Sequence, residues 1–83
     1  MKALRSSTAR AVSIVLAQAR NERGLSQREL ALRIKRPHSV IGMIESQQRQ
    51  VNVPEFVALA EALGVEPEGL FKRVLKEEGK GRA

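Results

Sequence analysis

The sequence predicts an all-α domain, a compact bundle of five short helices. Its apolar residues recur at the three- and four-residue spacing of amphipathic helices, and no segment has the alternation of a strand. Gly24 and Gly64 interrupt the apolar stripes, while Pro37, Pro54 and Pro67 stand where new stripes begin. A chain of 83 residues can build only one core, so residues 1–83 are expected to form a single domain.

The first two helices are predicted over residues 8–23 and 27–34. The first has an apolar face, which consists of Ala9, Val12, Val15, Leu16 and Ala19. The second begins in "LSQREL", where Ser26 and Glu29 have the spacing of a capping box, and Leu25 and Leu30 that of a hydrophobic staple. Pro37 follows within two turns, so this helix must be short.

The third helix is predicted over residues 37–45, directly after the second. At about 100° per residue, one arc is apolar and should face the core: Pro37, Val40, Ile41 and Ile44. The opposite arc is small and uncharged: His38, Ser39, Gly42, Met43 and Ser46. Two helices joined by so tight a turn are typical of a helix-turn-helix.

The last two helices begin at Pro54 and Pro67. The fourth should bury Phe56, Leu59, Ala60 and Leu63, and it ends at Gly64. The fifth has a wide apolar stripe, which consists of Leu70, Phe71, Val74 and Leu75. This stripe is expected to be mainly core and also to supply the contacts of a homodimer. The ordered core should span residues 8–76, with a flexible arm at 1–6 and a flexible tail at 77–83.

Positive charge is concentrated in the first half of the chain. Residues 1–50 hold ten Lys or Arg against three Glu, whereas residues 51–83 hold five against six. Such a field favours a polyanionic partner, and DNA fits better than an acidic membrane surface. The only aromatic residues are Phe56 and Phe71, too few for a single-strand stacking platform, so duplex DNA is the expected partner.

Composition also argues against several other classes of function. The chain has no Cys, no Asp and one His, so neither a catalytic constellation nor a metal site is expected, and no cofactor or small-molecule ligand is predicted. The absence of Cys fits a reducing, cytoplasmic compartment. The N-terminal run "AVSIVLA" is too short for a membrane span and continues in helical register, which argues against a signal peptide.

Three segments of the sequence resemble a known family. "RNERGLSQRELALRI", followed by "SVIGMIE" and "PEFVALAEALGVEPEGLF", is similar to the phage repressor and Cro-like helix-turn-helix regulators, also called the xenobiotic-response-element family. The resemblance covers about residues 8–75. It implies a lambda-repressor-like five-helix domain that binds operator DNA, usually as a homodimer, with the third helix in the major groove.

The resemblance also assigns roles to individual residues. Gln27 matches a glutamine that contacts a phosphate and braces the recognition helix. Arg20 and Glu45 match an ion pair that ties the first helix to the end of the third. The base-contacting positions are His38, Ser39, Gly42 and Met43. Lys35 occupies a turn position that is often Gly in the family, where a positive φ would cost on the order of 1 kcal/mol.

Phosphate contacts are expected at the two ends of the recognition helix. Phosphate contacts provide affinity and register, whereas base contacts provide specificity, so the two can use different residues. Arg28 lies near the N-terminus of the second helix, which also favours anions. The remaining candidates flank the third helix: Lys35, Arg36, Gln47, Gln48 and Arg49.

The sequence thus predicts a DNA-binding transcriptional regulator, a repressor by default, that is sequence-specific and homodimeric. One alternative is an antitoxin-type interaction module of a toxin–antitoxin pair, with a toxin as protein partner and autoregulatory DNA binding. Another is a non-specific basic DNA coat, which would bind unrelated duplexes equally well.

Overall fold

The computed structural model describes residues 6–80, which form five α-helices and no strand. The helices are α1 (Ser7–Glu22), α2 (Gln27–Arg33), α3 (His38–Glu45), α4 (Val53–Leu63) and α5 (Pro67–Lys80). Their Cα atoms have a radius of gyration of 12.0 Å. The predicted all-α, five-helix architecture is confirmed.

Polar side chains cap three of the helix N-termini. The hydroxyl of Ser6 accepts a hydrogen bond from the backbone N–H of Ala9 at 3.1 Å, at the start of α1. At the start of α2 the capping box is complete: Ser26 Oγ accepts from Glu29 N–H at 3.0 Å, and the Glu29 carboxylate accepts from Ser26 N–H at 2.8 Å. Asn52 caps α4 in the same way. These bonds satisfy backbone donors that have no partner within the helix.

Four helices end in a residue with left-handed backbone conformation. After α1 and α4 that residue is glycine, Gly24 at φ 68° and Gly64 at φ 72°. After α2 and α3 it is not, because Lys35 has φ 58° and Gln47 has φ 66°. Side-chain-bearing residues rarely adopt this conformation, so the turn between α2 and α3 and the turn after α3 are both locally strained.

The core lies between α1 and the other helices, and every helix contributes to it. Its largest fully buried side chains are Val15, Leu30, Ile41, Ile44, Leu59, Leu63, Leu70 and Val74. On α1, Ala11 is buried while Ala9 is only half-buried, because α1 packs against both α3 and α5 and its buried face is shifted from the predicted one. Pro37 was predicted to face the core but is exposed, because it occupies the N-cap position just before α3 and is not part of the helix.

Helix α5 continues to Lys80, four residues beyond the predicted end of the ordered core. Two interactions stabilise this last turn: the Thr8 hydroxyl donates a hydrogen bond to the Glu78 carboxylate, and the Lys80 ammonium donates to Glu77 at 3.4 Å. The rest of the predicted tail and most of the predicted arm, residues 81–83 and 1–5, lie outside the described residues. None of the helices between residues 6 and 80 is long and apolar enough to cross a membrane.

Candidate nucleic-acid interface

A tight turn sets the angle between α2 and α3. Lys35 N–H donates to the carbonyl of Leu32 at 3.2 Å, and Arg36 N–H donates to that of Ala31 at 3.0 Å. These bonds satisfy the last carbonyls of α2 while the left-handed residue Lys35 reverses the chain. Helix α3 then begins after only four residues, which produces the predicted helix-turn-helix.

Helix α3 is held by its apolar face and exposes the other. Ile41 and Ile44 are buried in the core, and Val40 packs against it. His38 and Ser39 are exposed at the leading end of the helix, and Gly42 and Met43 are half-buried farther along. The four positions predicted to contact bases therefore share one accessible surface with no charge of its own.

Arg20 and Glu45 form the ion pair that the resemblance implies. Arg20 Nε donates to Glu45 Oε2 at 2.6 Å, and Arg20 Nη2 donates to Glu45 Oε1 at 3.0 Å. The hydrogen bond to Glu45 raises the pKa of Arg20 above its ordinary value, against the opposing effect of burial. Arg20 Nη1 also donates to the carbonyl of Leu25 at 2.7 Å, so one guanidinium connects α1, the loop before α2 and the end of α3.

Gln27 is the third member of this network. Its Nε2 donates to Glu45 Oε1 at 2.9 Å, so the first residue of α2 is tied to the last residue of α3. A Cβ atom placed on Gly42 would lie 3.4 Å from Gln27 Oε1. The amide of Gln27 therefore lies across α3 at the one position that has no side chain.

The cationic side chains of the first half divide into two groups. Four arginines make internal hydrogen bonds: Arg20, Arg23, Arg33 and Arg49. Four described cations make none: Arg10, Arg28, Lys35 and Arg36. The last three are exposed and flank α2 and the leading end of α3, where phosphate contacts were predicted.

Arg23 and Arg33 have a structural role that the sequence analysis missed. Arg23 Nη2 donates to the carbonyl of Gly64, and Arg33 Nη1 donates to the carbonyl of Ala62, each at 2.9 Å. Both carbonyls lie at the C-terminal end of α4, where helix carbonyls lack partners and the helix dipole favours cations. Only the folded arrangement brings α4 close to these two residues, which are distant from it in sequence.

Arg49 differs from the other predicted phosphate contacts, because it is paired within the molecule. Its Nη1 and Nη2 donate to the two carboxylate oxygens of Glu55 at 2.7 and 2.8 Å. The Glu55 side chain is only 4% exposed, and these hydrogen bonds from Arg49 lower the pKa of its carboxyl, although burial opposes the shift. Arg49 thus anchors the loop after α3, which contains Gln47 and Gln48, both exposed.

The residues predicted for a dimer interface do not share one environment. Leu70 and Val74 are buried in the core, whereas Phe71 is 48% and Leu75 is 47% exposed. The Phe71 ring meets Phe56 edge to face, with centroids 6.3 Å apart. On α4, Val53 and Val57 are also exposed, and the sequence analysis did not name them as interface residues.

Other kinds of site find no support in this part of the molecule. Within residues 6–80, no group of three or more His, Cys, Asp or Glu side chains could hold a metal ion. A groove with a volume of about 1090 Å³ lies between the first half of α1 and the loop after α3, and its walls include Ser13, Arg49 and Val51. This groove is open, and polar and apolar atoms contribute about equally to its walls, unlike an enclosed and mainly apolar small-molecule pocket.

Comparison with known proteins identifies the fold family. A family described as helix-turn-helix matches residues 16–70, about two-thirds of the chain. The chain belongs to this helix-turn-helix family. The matched segment begins in the middle of α1 and ends in the first turn of α5, so it contains the whole α2–α3 unit and its bracing network. No curated protein matches the sequence.

Solved structures of the same family are similar over nearly the whole chain. The wild-type restriction-modification controller protein C.Esp1396I is 26% identical, with a TM-score of 0.82 over 88% of this chain and 95% of that one. An XRE-family like protein from Pseudomonas syringae pv. tomato str. DC3000 is 29% identical, with a TM-score of 0.80 over 90% and 92%.

A third structure shows a relative of this chain on DNA. It is the C.Esp1396I tetramer in complex with its natural 35 base-pair operator, 25% identical, with a TM-score of 0.80 over 86% of this chain and 93% of that one. The predicted membership of the Cro-like family is confirmed. These relatives favour the DNA-binding regulator over the antitoxin-type alternative.

Proposed function

We propose that this protein is a sequence-specific regulator of transcription, by default a repressor, that inserts α3 into the major groove of duplex DNA. The observation that carries the proposal is the surface of α3: an uncharged, accessible face between two polar or cationic ends. A major groove about 12 Å wide admits an α-helix, and each base pair presents a distinct pattern of donors and acceptors there. His38 and Ser39 offer hydrogen-bonding groups, and Met43 offers an apolar contact for a thymine methyl.

Phosphate contacts are assigned to side chains that the fold leaves free. The side chains of Arg28, Lys35 and Arg36 make no internal hydrogen bond; Arg28 lies in the first turn of α2, and the other two lie just before α3. Gln47 and Gln48 are exposed at the other end of α3. Arg49 acts mainly by fixing their loop through Glu55, and because 34% of its side chain is exposed it can still add to the local positive field.

The protein is proposed to act as a homodimer. The exposed apolar residues of α4 and α5 supply a surface for a second copy, with Phe71 and Leu75 at its centre. The related controller protein C.Esp1396I binds its operator as a tetramer, which fits an assembly of more than one chain. A symmetric dimer would present two copies of α3 to half-sites about one helical turn, or roughly 34 Å, apart.

Regulation by binding alone is the proposed mode of action. The protein would act in the cytoplasm, without catalysis and without a cofactor, and its occupancy of the operator would follow its own concentration. Constitutive repression with autoregulation is the simplest scheme.

The test is selection of bound duplexes from a random pool, followed by titration of labelled duplexes at a fixed salt concentration. A common motif should emerge, and its affinity should exceed that of a scrambled duplex by at least about 10³. Equal affinity for the selected and scrambled duplexes would reject sequence-specific regulation and favour a non-specific DNA coat.

A further inference from the structure

The amide of Gln27 has a defined orientation. Its Nε2 donates to Glu45 Oε1 at 2.9 Å, and Glu45 is itself held by two hydrogen bonds from Arg20. A carboxylate only accepts hydrogen bonds, so the nitrogen of the amide must face Glu45. The oxygen of the amide, Oε1, must therefore point away from the bracing network.

Gln27 Oε1 points to the surface of α3. It lies 3.4 Å from the position that a Cβ of Gly42 would occupy, and apart from the neighbouring residues and the backbone of α3 itself it is the atom that such a Cβ would meet. Oε1 makes no hydrogen bond within the protein. Every buried side-chain N or O atom in the described part of the chain has a hydrogen-bond partner, so Oε1 is not one of the buried atoms. Oε1 is therefore accessible to solvent.

Gly42 occupies the middle of the accessible arc of α3. At 100° per residue it lies between His38 and Met43, and the core residues Ile41 and Ile44 are on the other side of the helix. A side chain at this position would be well placed to approach a base edge. Gly42 provides none, and the amide of the neighbouring helix lies over the space instead.

We infer that Gln27 supplies from α2 the base-reading group that Gly42 lacks on α3, and that the base it reads is adenine. This inference rests on the proposed insertion of α3 into the major groove. One hydrogen of Nε2 is used by Glu45, which leaves the second hydrogen and the oxygen. Adenine is the base that presents a matching pair in the major groove, with N6–H as donor and N7 as acceptor.

A phosphate could bind only one of the two remaining hydrogen-bonding groups of the Gln27 amide. Phosphate oxygens only accept hydrogen bonds, so a phosphate would engage the second Nε2 hydrogen and leave Oε1 without a partner. In this arrangement Gly42 is a positioning residue. Its missing Cβ leaves the space beside the amide oxygen open to a base, while Arg20 and Glu45 select which edge of the amide faces the DNA.

The experiment compares the motifs that four proteins select from one random duplex pool. The proteins are the wild type, Gln27→Met, Gly42→Ala and Gln18→Ala. Gln27→Met keeps the length of the side chain and removes its hydrogen bonds. Gly42→Ala adds a Cβ in van der Waals contact with Oε1, at 3.4 Å, which would hinder a base from approaching that oxygen. Gln18→Ala is the matched control, because Gln18 is an exposed glutamine on α1.

Gln27→Met should abolish an adenine preference at one position of the motif, reducing discrimination there by about tenfold or more. Gly42→Ala should weaken the preference at that same position only. Gln18→Ala should select the wild-type motif. The slope of log affinity against log salt should be unchanged in all variants, because no phosphate contact has been removed.

Two other outcomes would overturn the inference. If Gln27→Met selects the wild-type motif but binds every duplex more weakly, with a slope reduced by about 0.9, Gln27 contacts a phosphate. If it selects a motif changed at all positions, Gln27 acts only by bracing α3. Failure of the proposed function itself looks different, because the wild type would then select no motif. Circular dichroism at 222 nm establishes that each variant is folded.

Discussion

Arg20 and Glu45 join the first helix to the last turn of the recognition helix by two hydrogen bonds, at 2.6 and 3.0 Å. The two side chains are only 13% and 11% exposed. Helix α3 has eight residues, and an isolated helix of that length is unstable in water. Its position on the domain therefore depends on its buried isoleucines and on this pair.

Arg20→Ala should destabilise the protein by about 3 kcal/mol, because it leaves the Glu45 carboxylate mostly buried without its cationic partner. Urea denaturation followed by circular dichroism measures the change. Arg73→Ala is the matched control. Arg73 makes a similar pair of hydrogen bonds with Glu22, at 3.0 and 3.1 Å, but Glu22 is 61% exposed, so the expected loss is below about 1 kcal/mol. Equal losses in the two variants would contradict the special role of the Arg20 pair.

The strained turn before α3 gives a second prediction. Lys35 has φ 58°, a conformation that favours glycine, so Lys35→Gly should stabilise the fold by up to about 1 kcal/mol. The same change removes a proposed phosphate contact, so it should weaken binding to DNA. Thermal denaturation and DNA titration on the same samples measure the two effects.

Gly24→Ala is the converse control, because it adds a side chain at a position after α1 that also has a left-handed backbone conformation. Gly24 has φ 68° and a Cβ there would meet no atom within 4 Å, so the only penalty is backbone strain. A loss of about 1 kcal/mol is expected, with DNA binding unchanged for the folded protein. If Lys35→Gly lowers stability instead, the lysine side chain makes a stabilising contribution larger than the strain.

Much of the fold could be predicted because its signals are local. Ser26 and Glu29 mark the start of α2 three residues apart, and Gly24 and Gly64 occupy positions with positive φ that need glycine. Interactions between distant residues could not be predicted from such signals. Glu55 looks like an ordinary acidic residue in a first helical turn, and only the fold brings Arg49 over it. Likewise, nothing in the sequence indicates that Arg33 reaches a carbonyl of α4.

The buried Glu55 carboxylate should make stability depend on pH. Hydrogen bonds from Arg49 lower the pKa of Glu55 in the folded state. A carboxyl of this kind contributes its full stability above its pKa in the unfolded chain, about 4.3, and loses it as the pH falls through the lower folded value. Glu55→Gln should therefore cost about 2 kcal/mol at pH 7, and this cost should shrink below about pH 4.

Urea denaturation of wild type and Glu55→Gln at several pH values between about 3 and 7 measures this dependence. The control is Glu61→Gln, an exposed carboxylate on the same helix, which should change the free energy of unfolding by less than about 0.5 kcal/mol at pH 7. A difference between wild type and Glu55→Gln that stays constant down to pH 3 would show that the carboxylate charge does not stabilise the fold.

The division of the arginines into free and internally bonded groups gives a prediction about salt. The side chain of Arg36 makes no internal hydrogen bond, so Arg36→Ala should weaken binding to all duplexes alike and reduce the slope of log affinity against log salt by about 0.9. Arg33→Ala removes the same charge nearby, but that side chain is bonded to Ala62. Its main effect should be on stability. If Arg33→Ala reduces the salt slope as much as Arg36→Ala does, the hydrogen bond to Ala62 does not prevent Arg33 from contacting DNA.

The exposed half of the α5 stripe should control assembly. Leu75 is 47% exposed, and a lysine there would place a charge in the proposed dimer interface without disturbing the core. Leu75→Lys should therefore shift the protein from dimer to monomer in light scattering at micromolar concentration, and it should weaken binding to a two-half-site operator far more than to a single half-site. The matched control for assembly is Leu32→Lys, because Leu32 is 70% exposed on α2 and is not part of the proposed α4–α5 surface. A wild-type protein that is monomeric both free and on operator DNA would refute the homodimer, whereas a dimer that survives Leu75→Lys would place the interface elsewhere.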